Sequence, residues 1–174
     1  MSTKDCMNDS RTPPIIGKVS CVNEIRIRCL PPDDMGSPKG ANTWNWLFPD
    51  GVSAGRTMIA RRFAADEVGN HFHSRIPNKD PETFLLIMGT IQYYFKDAFG
   101  GIREEILDAD ALGPIEIEIP PYILHKLTIL THEAWFLEQQ RTAFSPEDNY
   151  SAAEFEEFSK SFSEKRGDNG RAET

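Results

Sequence analysis

The sequence has no apolar run near the roughly 18 residues a membrane-spanning helix needs, and its first residues form no signal-peptide core. A cytoplasmic protein with no membrane partner is expected. Basic residues are the minority, with 19 Lys and Arg against 27 Asp and Glu, a net charge of -8. Both ends are neutral: Lys4 and Arg11 offset Asp5 and Asp9, and Lys165, Arg166 and Arg171 offset Glu164, Asp168 and Glu173. The acidic excess therefore lies between them. Nucleic acid and anionic surfaces need a basic face, so neither is expected as a partner. Cysteine is scarce: Cys6, Cys21 and Cys29 are an odd set without C-x-x-C spacing, and read as reduced thiols. Cys29 is placed in the core by its position on an apolar strand phase. Internal repeats and low-complexity blocks are absent.

What is present suffices for one packed domain. Of 174 residues, 39% are hydrophobic and 10% aromatic. Residues 1–14 are polar, end in Pro13-Pro14 and are expected as a disordered tail. Residues 163–174 are expected as a second one, leaving a single domain over 15–162. Its pattern is mostly strand. Strand candidates are 18–30, 57–63, 83–88 and 90–95 joined at Gly89, 115–119, and the pair 124–130 and 134–139. Residues 115–119 (IEIEI) alternate strictly, and Pro120-Pro121 stops them. The acidic stretch 103–110 is read as a solvated edge or loop. Short strands with Gly and Pro turns predict an all-β sandwich or barrel. One helix is expected over about 151–162, where Ser151 and Glu154 form a capping box and Phe155, Phe158 and Phe162 lie on one stripe.

Only four histidines occur, and three are placed for chemistry. His71 and His73 are two apart, so on a strand both rings face one side. Glu82 opens the next apolar strand, and His125 follows Pro120-Pro121. Three neutral imidazoles and one carboxylate suit a first-row divalent ion: Fe, Mn, Ni, Co or Zn. His132, in a Thr-His-Glu turn, is expected to be exposed. Of Tyr93 and Tyr94 one must point inward, and the same parity question applies to Glu138 and Gln139 and to Arg61 and Arg62. Trp44 and Trp46 are expected to pack in the core or a dimer face.

The segment from His71-Phe72-His73 through Glu82 to Gly89 resembles the first motif of the cupin superfamily, G(x)5HxH(x)3-4E(x)6G. The segment from Pro120 to His125 resembles the second, G(x)5PxG(x)2H(x)3N. Four features depart from these patterns. The spacer from His73 to Glu82 (SRIPNKDP) is longer, Ala65 stands at the first glycine, Tyr122 at the glycine after Pro120, and Thr128-Ile129 near the final asparagine. The resemblance spans residues 50–140 and implies a small, single-domain cupin: a double-stranded β-helix, or jelly-roll barrel, with a short C-terminal helix. It implies a metal inside, held by His71, His73, Glu82 and His125. It further implies a homodimer paired through the N-terminal strand at 18–30. The expected activity is that of a metal-dependent enzyme on a small polar metabolite of a biosynthetic pathway. The ion would act as Lewis acid in isomerisation or elimination through an enolate-like intermediate, with Glu82, Tyr93 or Tyr94 as catalytic groups. An Fe(II) dioxygenase and a non-catalytic ligand-binding cupin are the alternatives.

Overall fold

The structure, a computed structural model, describes residues 13, 15, 17–31, 56–74, 81–140 and 149–169. A single 3-10 turn, Val22–Glu24, precedes β1 (Arg26–Cys29). Then come β2 (Arg56–Phe63), β3 (Glu67–Phe72), β4 (Glu82–Met88), β5 (Thr90–Lys96) and β6 (Ile102–Asp108). After α1 (Ala109–Leu112), β7 (Ile115–Ile119), β8 (Leu124–Ile129), β9 (Glu133–Gln140), β10 (Tyr150–Ser151) and α2 (Ala152–Asn169) complete the order. The strands form two antiparallel five-stranded sheets, ordered β1-β7-β4-β9-β2 and β10-β3-β8-β5-β6. The expected all-β jelly roll is what the chain forms.

The sequence-adjacent strands expected as pairs do not pair. β4 and β5 lie in different sheets, as do β8 and β9. At Gly89 the chain crosses between sheets instead of making a hairpin. Its φ is 90°, and a Cβ there would sit 2.4 Å from the Glu133 carbonyl oxygen, so only glycine fits. Alternation then builds the interior. Phe84 and Leu86 of β4, Ile115, Ile117 and Ile119 of β7, Phe136 of β9, and Ile91, Tyr93 and Phe95 of β5 meet in one core.

Other expectations shift in detail. Only Arg26–Cys29 of the 18–30 segment is strand. Cys29 is exposed, at the end of a strand that borders the first sheet among the described residues. The acidic stretch is an edge: β6 borders the second sheet and passes into α1, whose first turn Asp108 caps through Asp110 and Ala111. The C-terminal helix runs past 162 to Asn169, so residues 163–169, expected as tail, are helical backbone. Its start is as expected, with Ser151 N–H donating to Glu154 Oε2 (2.7 Å) and Glu154 N–H to Ser151 Oγ (3.3 Å). Phe155 and Phe158 are fully buried and seat α2 on a second core with Phe72, Tyr122, Leu124 and Tyr150. Trp44, Trp46, Cys6 and residues 1–12 lie outside the described residues. No helix among the described residues is long and apolar enough to cross a membrane.

Candidate metal centre

His71 and His73 come to the interior through a bulge. In β3, Val68 pairs with Leu127 and packs on the main core. Simple alternation from Val68 would send Asn70 and Phe72 inward and the histidines out. The register shifts between Gly69 and His71, however, so that His71 stands opposite His125 on β8. One extra residue thus inverts the side-chain phase at the end of the strand. Gly69 (φ 90°) and Asn70 (φ 62°) take the left-handed conformations this requires. At Gly69 a Cβ would meet the His125 carbonyl oxygen at 3.0 Å.

Glu82 is the first residue of β4, paired with Ile119 and sharing the inward face of Phe84 and Leu86. Its Oε2 lies 3.5 Å from His73 Nε2 and 3.1 Å from His125 Nε2. The spacer after His73, of which 75–80 lie outside the described residues, does not keep the carboxylate away. The donor atoms of His71, His73, Glu82 and His125 all lie within 4.8 Å of one another. The His71 ring packs edge-on to both other imidazoles, with centroids 4.7 Å apart in each case. His73, Glu82 and His125 are buried and His71 is half-buried, so the cluster is reached from the His71 side.

The donor set fits a divalent cation. Adjacent donors on a first-row ion at bond lengths near 2.1 Å lie about 3.0–3.4 Å apart; the His125 contact of Glu82 (3.1 Å) falls in that range and the His73 contact (3.5 Å) just beyond it. His125 Nδ1 donates to the Ile123 carbonyl oxygen (3.0 Å), which fixes the tautomer and leaves Nε2 a lone-pair donor. That buried Nε2 makes no hydrogen bond and faces a carboxylate. Three imidazoles and one carboxylate could therefore hold Fe, Mn, Ni, Co or Zn and leave open positions.

Parity assigns the remaining candidates. Tyr93 points inward, is 1% exposed and stacks on Phe95 at 4.9 Å. Burial, then the charges of Glu82 and Glu138, push its phenol well above the usual range, so it is a neutral hydroxyl. Tyr94, named with it as a catalytic candidate, is placed apart from the four donors. It lies on the outer face of the second sheet, lining a groove with Gln92, Glu104 and Lys126, because neighbouring strand residues face opposite ways. Glu138 is 7% exposed and pairs with Phe84, which puts it on the inner face, while Gln139 pairs with Thr83 on the outer one. Arg61 is also outward, ion-paired with Glu133 and lying over the Phe63 and Trp135 rings. Arg62 turns back to the Arg61 carbonyl oxygen at 3.1 Å. His132 is exposed, as expected. Glu138 is thus the inward carboxylate that sequence could name only as one of a pair; its cue was the Phe136, Glu138 phase of β9.

Two departures from the motif pattern acquire a structural meaning. Ala65 (φ 66°) and Tyr122 (φ 66°) both adopt the left-handed backbone their motif glycines would favour. The conformation is kept although the glycine is not. Tyr122 N–H donates to the His73 carbonyl oxygen at 2.7 Å, tying the second motif to the first.

The sequence matches no protein-family profile and no curated protein. Its structure is similar to that of QdtA, a sugar 3,4-ketoisomerase from Thermoanaerobacterium thermosaccharolyticum solved with TDP. The two share 12% identity and a TM-score of 0.62 over 82% of this chain and 99% of that one. The capsular polysaccharide assembling protein CapF from Staphylococcus aureus is 23% identical over 60% of this chain and 29% of its own, with a TM-score of 0.48. The dTDP-6-deoxy-D-glucose-3,5-epimerase RmlC from Legionella pneumophila is 17% identical over 57% and 54%, with a TM-score of 0.46. This chain spans about half of RmlC and under a third of CapF. The likeness concerns architecture: two antiparallel sheets closing over one interior, with a C-terminal helix behind them, make the cupin-type jelly-roll fold.

Proposed function

We propose that the chain is a metal-dependent isomerase acting on a small hydroxy-carbonyl metabolite in a biosynthetic pathway. The observation that carries this reading is the convergence of His71, His73, Glu82 and His125 inside the barrel, beside a second inward carboxylate, Glu138. A divalent ion held by the four would supply Lewis-acid polarisation of a substrate carbonyl. In this arrangement Glu82 is a ligand. Glu138 takes the proton from the hydroxyl-bearing carbon beside the carbonyl and returns it to the former carbonyl carbon, while the hydroxyl proton passes to the former carbonyl oxygen. Tyr93, kept neutral by its surroundings, donates a hydrogen bond to a substrate oxygen. Burial of His73, Glu82 and His125 keeps bulk water from the reacting atoms.

The fold is shared with a sugar ketoisomerase that binds TDP, which makes nucleotide-linked ketosugars the first substrates to test. Protein purified without added metal is analysed for its elements, then incubated with a TDP-linked ketosugar in D2O. Bound Mn, Ni, Co or Zn near one ion per chain, with deuterium entering beside the carbonyl, is the expected result. Glu82→Ala and His125→Ala should lose the ion. Iron together with oxygen uptake and no exchange would replace this reading with the dioxygenase one. Ligand binding without turnover would replace it with a non-catalytic cupin. A homodimer is the proposed assembly, and the mass of one chain in sedimentation across a wide concentration range would overturn it.

A further inference from the structure

The second core lies directly behind the metal-type cluster. Phe72, fixed between His71 and His73, points away from them and is fully buried. Its ring meets Tyr150 at 5.1 Å, Phe155 at 5.2 Å and Phe158 at 5.5 Å. β10 extends the same contact through the backbone, pairing Tyr150 with Phe72 and Ser151 with His71. In the turn that leads into β8, the strand of His125, the Tyr122 ring stacks on Phe158, with centroids 5.5 Å apart and planes 13° from parallel. Tyr122 N–H holds the His73 carbonyl, and the next residue, Ile123, holds His125 Nδ1. Phe158 therefore touches both segments that deliver imidazoles, through one aromatic ring on each. None of these contacts belongs to the main core, which forms a separate cluster.

We propose that α2 is a buttress for the centre, with Phe158, Phe72 and Tyr122 as positioning residues that hold His71, His73 and His125 at one mutual spacing. The proposal rests on the metal reading above. Left-handed backbone at Asn70, in the bulge, and at Tyr122 persists only when its surroundings over-determine it. The aromatic stack supplies that constraint. Removing it frees the bulge and the Pro120–Tyr122 turn to relax and lets the three rings drift apart, while the main core stays packed.

The test compares wild type, Phe158→Ala, Phe158→Leu and Leu107→Ala. Leu107 is buried in the main core on β6, away from the ligand strands. Co2+ titration followed by visible absorption should show Phe158→Ala binding about ten-fold or more weakly, the size of effect expected when ligand-orienting contacts are lost. Phe158→Leu should recover most of it. Leu107→Ala should lose comparable thermal stability and bind as wild type does. A folded Phe158→Ala with wild-type affinity overturns the proposal. If Phe158→Ala does not fold, Phe158→Val takes its place. Nitrogen NMR of the metal-free histidine rings supplies the second readout. His125 should be a single Nδ1–H tautomer in wild type and exchange-broadened in Phe158→Ala; an unchanged spectrum overturns the buttress. If wild type binds no Co2+, the metal reading fails, and the ring spectra still decide the role of α2.

Discussion

Ala65, Asn70 and Tyr122 hold left-handed backbone without being glycine, and the first and last of them do so for different returns. Ala65 turns the chain between β2 and β3, its N–H donating to the Ile129 carbonyl oxygen at 3.0 Å. Its exposed side chain gains nothing from the site. Ala65→Gly should therefore relieve strain of about 1 kcal/mol. The melting temperature should rise by roughly 2–4 °C for a chain of this size, read by differential scanning calorimetry. Tyr122→Gly removes the same strain and also the buried ring that stacks on Phe158. Loss of a buried aromatic outweighs the relief, since such truncations cost about 3–5 kcal/mol. Its melting temperature should fall. Opposite signs at equal φ would separate backbone strain from packing. A glycine-based motif can thus persist as a conformation after its glycine is gone, because tertiary packing stabilises what the side chain disfavours.

Among the elements, the end of β3 carries the most consequence. The residues of the HxH pair were legible in the sequence, and so was their common face. Which face they share was not, because parity along a strand is counted from the last irregularity, and the bulge at Gly69-Asn70 is such an irregularity. Gly69→Val meets both a φ of 90° and the His125 carbonyl oxygen 3.0 Å from its Cβ. The expected outcome is a folded barrel with a regularised strand end and loss of Co2+ binding, checked by circular dichroism and metal titration. Retained binding would show that the bulge does not set the phase. The same counting explains the tyrosines. Tyr93 and Tyr94 have equal composition signals, and only the pairing of Tyr93 with Leu127 on one side and Glu105 on the other places it inside.

At the scale of the whole molecule, the carboxylates fall into outer and inner sets. On the outer face of the first sheet Arg26 pairs with Glu118 and Arg28 with Glu116, so part of the carboxylate charge is neutralised across β1 and β7. Inside, Glu82 and Glu138 share a space with the Tyr93 phenol. Because the folded state raises the Tyr93 pKa, its contribution to stability is complete below the unfolded value near 10 and declines as pH rises beyond it. Urea midpoints should drop between pH of roughly 10 and 11 in wild type, and less in Tyr93→Phe. Equal slopes in the two proteins would mean that Tyr93 does not carry the alkaline sensitivity.

The sequence by itself determined the kinds of donor available, the strand-rich class, the E(x)6G register that starts β4 at Glu82, and the capped start of α2. These are local properties: residue chemistry, periodicity of two or near 3.6, and hydrogen bonds within three residues. Tertiary structure alone decided which partner each strand takes, where Gly89 sends the chain from one sheet to the other, and which side of the bulge the histidines face. It also decided that Glu138 points inward. Side-chain direction in a sheet follows from pairing and from every bulge before it, and pairing is set by burial summed over both sheets. Four donors far apart in sequence meet because hydrophobic closure of the barrel brings their strands together, and no short-range pattern encodes that closure.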